Sequence, residues 1–243
     1  QVPMKIFPAV HYSMGGLWVD YEQQTNIKGL FAAGECDYSQ HGANRLGANS
    51  LLSAIYGGMV AGPNAVKYIE GLEKSTDSLP SSLFERYQRE EQQKWDDILK
   101  MDGNENAYVI HKELGEWMTD NVTVVRHNDR LLKTDEKIQE LMERWKNINI
   151  NDTSSWSNQG AQFTRQLQNM LDLARVITLG AYNRNESRGA HYKPEFPERN
   201  DEEWLKTTMA YYDPKTNAPR SEYEDLDTSL KKLKKRDYTT ANK

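Results

Sequence analysis

The sequence predicts an α+β fold that starts with strands, continues as a helical bundle and ends in an irregular arm. Three observations lead to this prediction. The first 47 residues are rich in glycine and short apolar runs, residues 80–186 carry apolar side chains at helical spacing, and proline recurs after Gly189. We therefore expect three units, which span residues 1–72, 78–190 and 191–243.

Short apolar runs in the first unit predict two strands, Gly15–Val19 and Gly29–Ala33, separated by a polar turn. From residue 49 the apolar spacing changes to three and four residues, which predicts a helix with Asn49 or Ser50 as its cap. Pro63 is expected to kink or end this helix. Small residues leave one side of it nearly bare and predict close packing there: Gly57, Gly58, Ala61 and Gly62.

The second unit is predicted to contain four helices. They cover about residues 80–101, 105–120, 127–148 and 156–186, after a polar connection at Leu72–Pro80. The third helix shows the pattern best, with one apolar face and charged residues elsewhere. That face consists of Leu131, Ile138, Leu141, Met142 and Trp145. These stripes are most simply the core of a bundle.

Composition excludes several classes of function. A net charge of -5 and a pI near 5.6 give no basic surface for nucleic acid. The single cysteine, Cys36, cannot form an internal disulfide, and we expect it to be a small buried apolar residue without a role in the site. No run of about 20 apolar residues occurs and the mean hydropathy is -0.87, so any membrane contact is expected to be peripheral.

Four motifs carry a family resemblance. They are HYSMGG (His11–Gly16), GLFAAGEC (Gly29–Cys36), HGANRLGANSLL (His41–Leu52) and NRNESRGAHYKPEFPERNDEEW (Asn183–Trp204). Together they resemble the flavoprotein subunits of succinate dehydrogenase and fumarate reductase. The resemblance implies the C-terminal part of such a subunit: the end of an FAD-binding α/β domain, followed by the helical domain.

The chain begins with Gln1 and enters glycine-rich sequence at once, so we expect it to be an excerpt of a longer protein. By the resemblance, a GxGxxG loop, a covalently flavinylated histidine and the proton-donating arginine are expected upstream. No catalytic residue is therefore assigned within this stretch, and the fragment alone is expected to be inactive.

Arg45 and His11 are the candidate substrate-binding residues. The guanidinium of Arg45 is a planar fork of donors suited to a carboxylate, and His11 can add a further donor. Such charge-assisted bonds contribute roughly 1.5–3 kcal/mol each when desolvated. Either residue alone would more often be structural, and the surrounding motifs favour binding of a small dicarboxylate.

Three residues are the candidate cofactor contacts. The resemblance implies that Ser50 and Leu51 contact the flavin and that Glu35 binds the cofactor's ribose. Free backbone N–H groups at a helix start also favour negative charge, which suits the reduced flavin. The simpler alternatives are an ordinary helix cap for Ser50 and a strand-end acid for Glu35.

The resemblance implies hydride transfer between FAD and succinate or fumarate, with electrons passed to an iron–sulfur subunit and quinone. A membrane anchor subunit would hold the complex at the cytoplasmic side of the membrane. L-aspartate oxidase is an alternative, although its usual cysteine is replaced here by Met14. A helical module that only docks the iron–sulfur subunit is another.

Two further groups are expected to be structural. Arg188 and His191 are interpreted as helix-end caps or interdomain ion pairs, rather than as site residues. The basic tail is interpreted as a solvated run, with attraction to an anionic partner or membrane as the alternative. It contains Lys231, Lys232, Lys234, Lys235 and Arg236.

Overall fold

The computed structural model describes residues 3–4, 11–38, 41–216, 218–230 and 233–234. The predicted α+β class is confirmed, with helices dominant and one small sheet. The elements in chain order are α1 Asn49–Glu70, α2 Ser81–Leu99, α3 Ala107–Met118, α4 Asn128–Trp145, α5 Gln159–Asn183, α6 Asp201–Trp204, β1 Lys206–Asp213 and β2 Ala218–Asp225.

The two predicted strands of the N-terminal segment are wrong. Its described residues contain only isolated bridges, which pair Leu17 with Asp37 in parallel and Gln24 with Phe31 in antiparallel orientation. Leu17 donates to the carbonyl of Cys36 at 2.8 Å, and Tyr38 donates to the carbonyl of Leu17 at 2.8 Å. A strand requires a continuous neighbour, and a local apolar pattern cannot show whether one is present.

Helix α1 differs from its prediction at its cap, and of the two outcomes expected at Pro63 it does not show an end. Ala48, in left-handed conformation with φ 64°, precedes the helix, and no side chain caps it, so the prediction of Asn49 or Ser50 as the cap is wrong. The helix also continues through Pro63 to Glu70. Proline removes one intrahelical bond, and the bonds on either side are sufficient to continue the helix.

Of the three glycines predicted to pack closely along α1, Gly57 does so against the described residues. A Cβ atom there would lie 3.1 Å from Oε1 of Gln23 and 3.3 Å from Cβ of Ala33. The described residues leave open space around Gly58 and Gly62. Gly57 therefore fixes where α1 rests on the N-terminal segment.

The four predicted bundle helices are confirmed as α2 to α5, each within a few residues of its expected ends. Their apolar faces meet in a main core, in which α4 packs along α5, and a smaller cluster contains Val122, Leu131 and Ala181. The buried members of the main core include Ile98, Ile110, Leu114, Ile138, Leu141, Leu167 and Leu171. Each fully buried side chain of this size contributes about 1.5–3 kcal/mol, so the bundle has its own source of stability.

The C-terminal arm is not irregular throughout, which corrects the prediction. Strands β1 and β2 form an antiparallel hairpin, with Lys206 opposite Asp225 and Asp213 opposite Ala218. The prolines suggested irregular chain, but Pro214 lies in the turn and a two-stranded sheet tolerates Pro219 because its strands are both edges. Of the basic tail, only Lys234 lies within the described residues.

The hairpin touches the N-terminal segment as well as the bundle. Trp18 Nε1 donates to the Glu224 carboxylate at 3.2 Å, and the Trp204 and Tyr223 rings meet edge to face at 5.5 Å. Arg184, just after α5, donates to the carbonyl of Lys206 at 2.6 Å. None of the helices in the described ranges is long and apolar enough to cross a bilayer.

Candidate functional site

The first and third motifs meet at His11 and Arg45. Nη2 of Arg45 lies 3.1 Å from Nδ1 of His11. A guanidinium can only donate, so Nδ1 accepts this bond and the ring proton is on Nε2. His11 is exposed and Arg45 is half-buried. The pair thus presents a cation and a neutral N–H donor at one place on the surface of this chain.

Contacts with Met14, Leu46 and the ring of Tyr12 hold Arg45 in place. Its own N–H donates to Sδ of Met14 at 3.0 Å, and its Nη1 donates to the carbonyl of Leu46 at 3.1 Å. The guanidinium carbon lies 5.2 Å from the centre of the Tyr12 ring, a cation–π distance.

Two polar atoms, one in this pair and one next to it, are buried without a hydrogen-bond partner among the described residues. They are Nε of Arg45 and the hydroxyl of Tyr12. An unpaired buried donor costs about 1–3 kcal/mol, so such atoms mark a place where a ligand could provide the missing acceptor. A carboxylate is the group that an arginine fork binds best.

Tyr12 and His41 lie next to the candidate site, and the sequence interpretation did not single them out. Their rings meet edge to face at 5.4 Å, and Nε2 of His41 lies 3.0 Å from Oγ of Ser53. The Ser53 hydroxyl donates to the carbonyl of Ser50 at 2.9 Å. Both rings lie within the motifs that contain His11 and Arg45, and that position was the available signal.

The candidate cofactor contacts lie around the same site. Oε1 of Glu35 accepts the Ser13 N–H at 2.8 Å, which brings the second motif against the first. Ser50 and Leu51 form the first turn of α1, where no side chain provides a cap. The first N–H groups of an uncapped helix have no intrahelical acceptor, and the helix dipole is positive there. These residues fit the electron-rich edge of a flavin.

Arg188 and His191 do not belong to the pair of His11 and Arg45. Arg188 bonds Glu186 and Asp201, and His191 bonds Arg126 and the carbonyl of Arg184, in line with a structural role.

Cys36 is exposed rather than buried, which corrects the prediction, and its thiol lies 3.4 Å from the carbonyl of Ala33. No cluster of three or more potential metal ligands occurs among the residues that the structure describes. Lys231, Lys232, Lys235 and Arg236 lie outside the described residues.

The fold and the motifs define part of a flavoprotein chain. Residues 111–238 match the family model described as fumarate reductase flavoprotein C-term, and residues 2–51 match the model of an FAD binding domain. The chain belongs to the succinate dehydrogenase and fumarate reductase flavoprotein family.

Three known proteins show how similar the chain is to this family. It is 75% identical to the succinate dehydrogenase flavoprotein subunit of Bacillus subtilis (strain 168), over 98% of this chain and 41% of that protein. It is 39% identical to the fumarate reductase flavoprotein subunit of Serratia sp., over 92% of this chain and 37% of that one. The solved structure of an Escherichia coli quinol fumarate reductase FrdA variant matches with a TM-score of 0.85 and 36% identity, over 92% of this chain and 38% of that chain.

The chain spans about two fifths of the length of the curated relatives that it matches.

Proposed function

We propose that this chain is part of a flavoprotein oxidoreductase that interconverts succinate and fumarate. The observation that carries the proposal is the pairing of Arg45 with His11, 3.1 Å apart and beside two unpartnered polar atoms. A cation and a neutral N–H donor at one place are suited to the carboxylate groups of a small dicarboxylate. Membership of the family and the FAD-binding match of residues 2–51 support the choice of reaction.

Arg45 binds one carboxylate through its guanidinium fork, and His11 donates from Nε2 to the substrate. The Met14 contact restrains the backbone of Arg45 and the Leu46 contact restrains its guanidinium, so less entropy is lost when the substrate binds. Tyr12 covers one face of the guanidinium and lowers its access to water, which strengthens the ionic bond. These residues orient the substrate and do not themselves transfer the hydride.

Ser50 and Leu51 would hold the isoalloxazine and Glu35 would hold the ribose of FAD. When bound, FAD supplies the acceptor or donor of the hydride. The amides at the uncapped start of α1 would stabilise negative charge on the flavin. The Ser13 N–H holds the Glu35 carboxylate and limits its rotation, which prepares it to accept bonds from ribose hydroxyls.

The electrons pass to an iron–sulfur subunit and to quinone, and a membrane anchor subunit holds the complex at the cytoplasmic side of the membrane. The names of the relatives, which are subunits of succinate dehydrogenases and fumarate reductases, support these partners. The alternative of a helical module can be tested by pull-down of the iron–sulfur subunit with residues 78–190, the proposed second unit. Capture by that unit would place the docking surface on the bundle.

The experiment that tests the reaction uses the full-length protein with its flavin. Succinate oxidation is followed with an artificial electron acceptor and fumarate reduction with a reduced dye, and L-aspartate is offered in a parallel assay. We expect turnover of succinate or fumarate and none of L-aspartate. Oxidation of L-aspartate without dicarboxylate turnover would replace the proposal with an L-aspartate oxidase.

A further inference from the structure

The tip of a tight turn in the C-terminal half touches the loop that carries Arg45. Ala190 donates its N–H to the carbonyl of Ala43 at 3.0 Å. Its neighbour Gly189 has φ +59°, and a Cβ atom there would lie 2.4 Å from the same carbonyl oxygen and 2.9 Å from Cβ of Ala43. Glycine is therefore required at this position both for its conformation and for the space it leaves.

The first end of this turn is held by a buried ionic network. Arg188 and His191 exchange backbone bonds of 2.8 and 3.0 Å, which close the turn. The guanidinium of Arg188 donates to both oxygens of Glu186, at 2.8 and 2.9 Å, and to Asp201 at 2.7 Å. Glu186 is fully buried and also accepts from the N–H of Asn200. A bidentate pair of this kind fixes direction as well as distance.

The second end is held by His191, which bonds on both sides of its ring. Nη1 of Arg126 donates to Nδ1 at 2.5 Å, and Nε2 donates to the carbonyl of Arg184 at 2.9 Å. Arg126 can only donate, so the ring is neutral and in one tautomer. Burial lowers the pKa of His191 to about 4, in agreement with that geometry. The turn is thus rigid where it meets Ala43.

The segment between Ala43 and Arg45 is held from two sides. The turn contacts the carbonyl of Ala43, and Sδ of Met14 accepts the N–H of Arg45 two residues later. A displacement of Ala43 would therefore be passed to the backbone from which the Arg45 side chain extends. Because the guanidinium is within 3.1 Å of His11, a small movement alters the donor pair.

We propose that the turn Arg188–His191 is a positioning element for the dicarboxylate site, which sets the location of Arg45 through Ala43. The inference rests on the proposed role of Arg45 in substrate binding. It adds a function to residues that contact neither the substrate nor the flavin in the proposal above.

Gly189→Ala in the full-length protein is the direct test. Relief of the overlap requires movement of about 1 Å, from 2.4 Å to the ordinary contact distance of 3.4 Å. A misplacement of that size can reduce a rate about 100-fold. We expect bound flavin to be retained, the Michaelis constant for succinate or fumarate to rise, and turnover to fall roughly 10- to 100-fold. Binding of malonate, followed by the flavin spectrum, should weaken in parallel.

Gly115→Ala is the matched control. It adds the same methyl group in helix α3, where nothing lies within 4 Å, and should leave both constants unchanged. Arg188→Lys is a second test that keeps the charge but removes the fork, and it should shift the same constants in the same direction by a smaller factor. If Gly189→Ala loses its flavin, Arg188→Lys decides the proposal by the malonate titration.

The outcomes separate this proposal from the function on which it rests. An inactive wild type, or an Arg45→Lys variant with normal turnover, would overturn the assignment of the site. An active wild type, an impaired Arg45→Lys variant and a flavin-loaded Gly189→Ala protein with unchanged malonate binding and turnover would overturn the positioning role alone.

Discussion

Nη2 of Arg45 lies 3.1 Å from Nδ1 of His11, although the two residues are 34 positions apart in the sequence. The bond orients the imidazole so that Nε2–H is available for a ligand. The same contact brings a guanidinium and a neutral donor together without an intervening carboxylate. This arrangement leads to two predictions about substrate binding.

Arg45→Lys in the full-length protein should keep its flavin and lose most dicarboxylate turnover. A lysine ammonium cannot reproduce the bidentate fork, and the loss of one charge-assisted bond of roughly 1.5–3 kcal/mol corresponds to a fall of about 10- to 150-fold in kcat/KM. Steady-state kinetics and the flavin absorbance provide the measurements. Arg89→Lys on the exposed surface of α2 is the control, and equal kinetics in the two variants would contradict the prediction.

His11→Ala should raise the Michaelis constant for succinate or fumarate and lower turnover. The donor that it removes both binds a carboxylate and orients the substrate for hydride transfer. His111→Ala, an exposed histidine on α3 away from this site, is the matched control and should behave like the wild type. A His11→Ala enzyme with an unchanged kinetic profile would make His11 an ordinary loop residue.

Hydrogen exchange on the isolated chain should show strong protection in α4 and α5 and little protection before Leu72. The core residues of α4 and α5 are almost fully buried, whereas residues 11–38 form isolated bridges and no strand. In α1, much apolar surface is exposed, as at Leu52, Ile55 and Met59. We also expect no FAD after purification. Stoichiometric bound flavin, or uniform protection across residues 11–52, would contradict this prediction.

The stability of the folded chain should decrease as the pH falls from about 6.5 towards 4, in part because of His191. Its pKa is lowered from 6.5 to about 4 by burial, so the unfolded state binds one more proton in that window. The free energy of unfolding therefore rises with pH there, by up to about 3 kcal/mol in total.

His191→Gln keeps an acceptor for Arg126 and a donor for the Arg184 carbonyl but does not titrate. Urea unfolding between pH 5 and 6.5 should give a smaller pH slope for this variant than for the wild type. The control variant His111→Ala, at an exposed histidine, should retain the part of the pH slope that is due to His191. Identical slopes in wild type and His191→Gln would show that His191 does not contribute.

The helices of the bundle could be predicted from the sequence because the information is local. A repeating apolar face, such as that of Leu131, Ile138 and Leu141, specifies both the helix and its buried side. The division into units of residues 1–72, 78–190 and 191–243 stays a prediction. The hairpin was not predicted because Pro214 and Pro219 indicated an irregular chain and because burial along β1 does not alternate: Thr207, Thr208 and Met209 are all partly buried.

The sequence by itself determined the four bundle helices and the motifs that indicate the family, because periodic burial and short motifs are properties of neighbouring residues. Only the tertiary structure decided that His11 reaches Arg45, that Tyr12 covers the guanidinium, and that the turn at Gly189 touches Ala43. Those contacts join segments far apart in the chain. Their geometry depends on how whole elements pack, which a local pattern of residues does not encode.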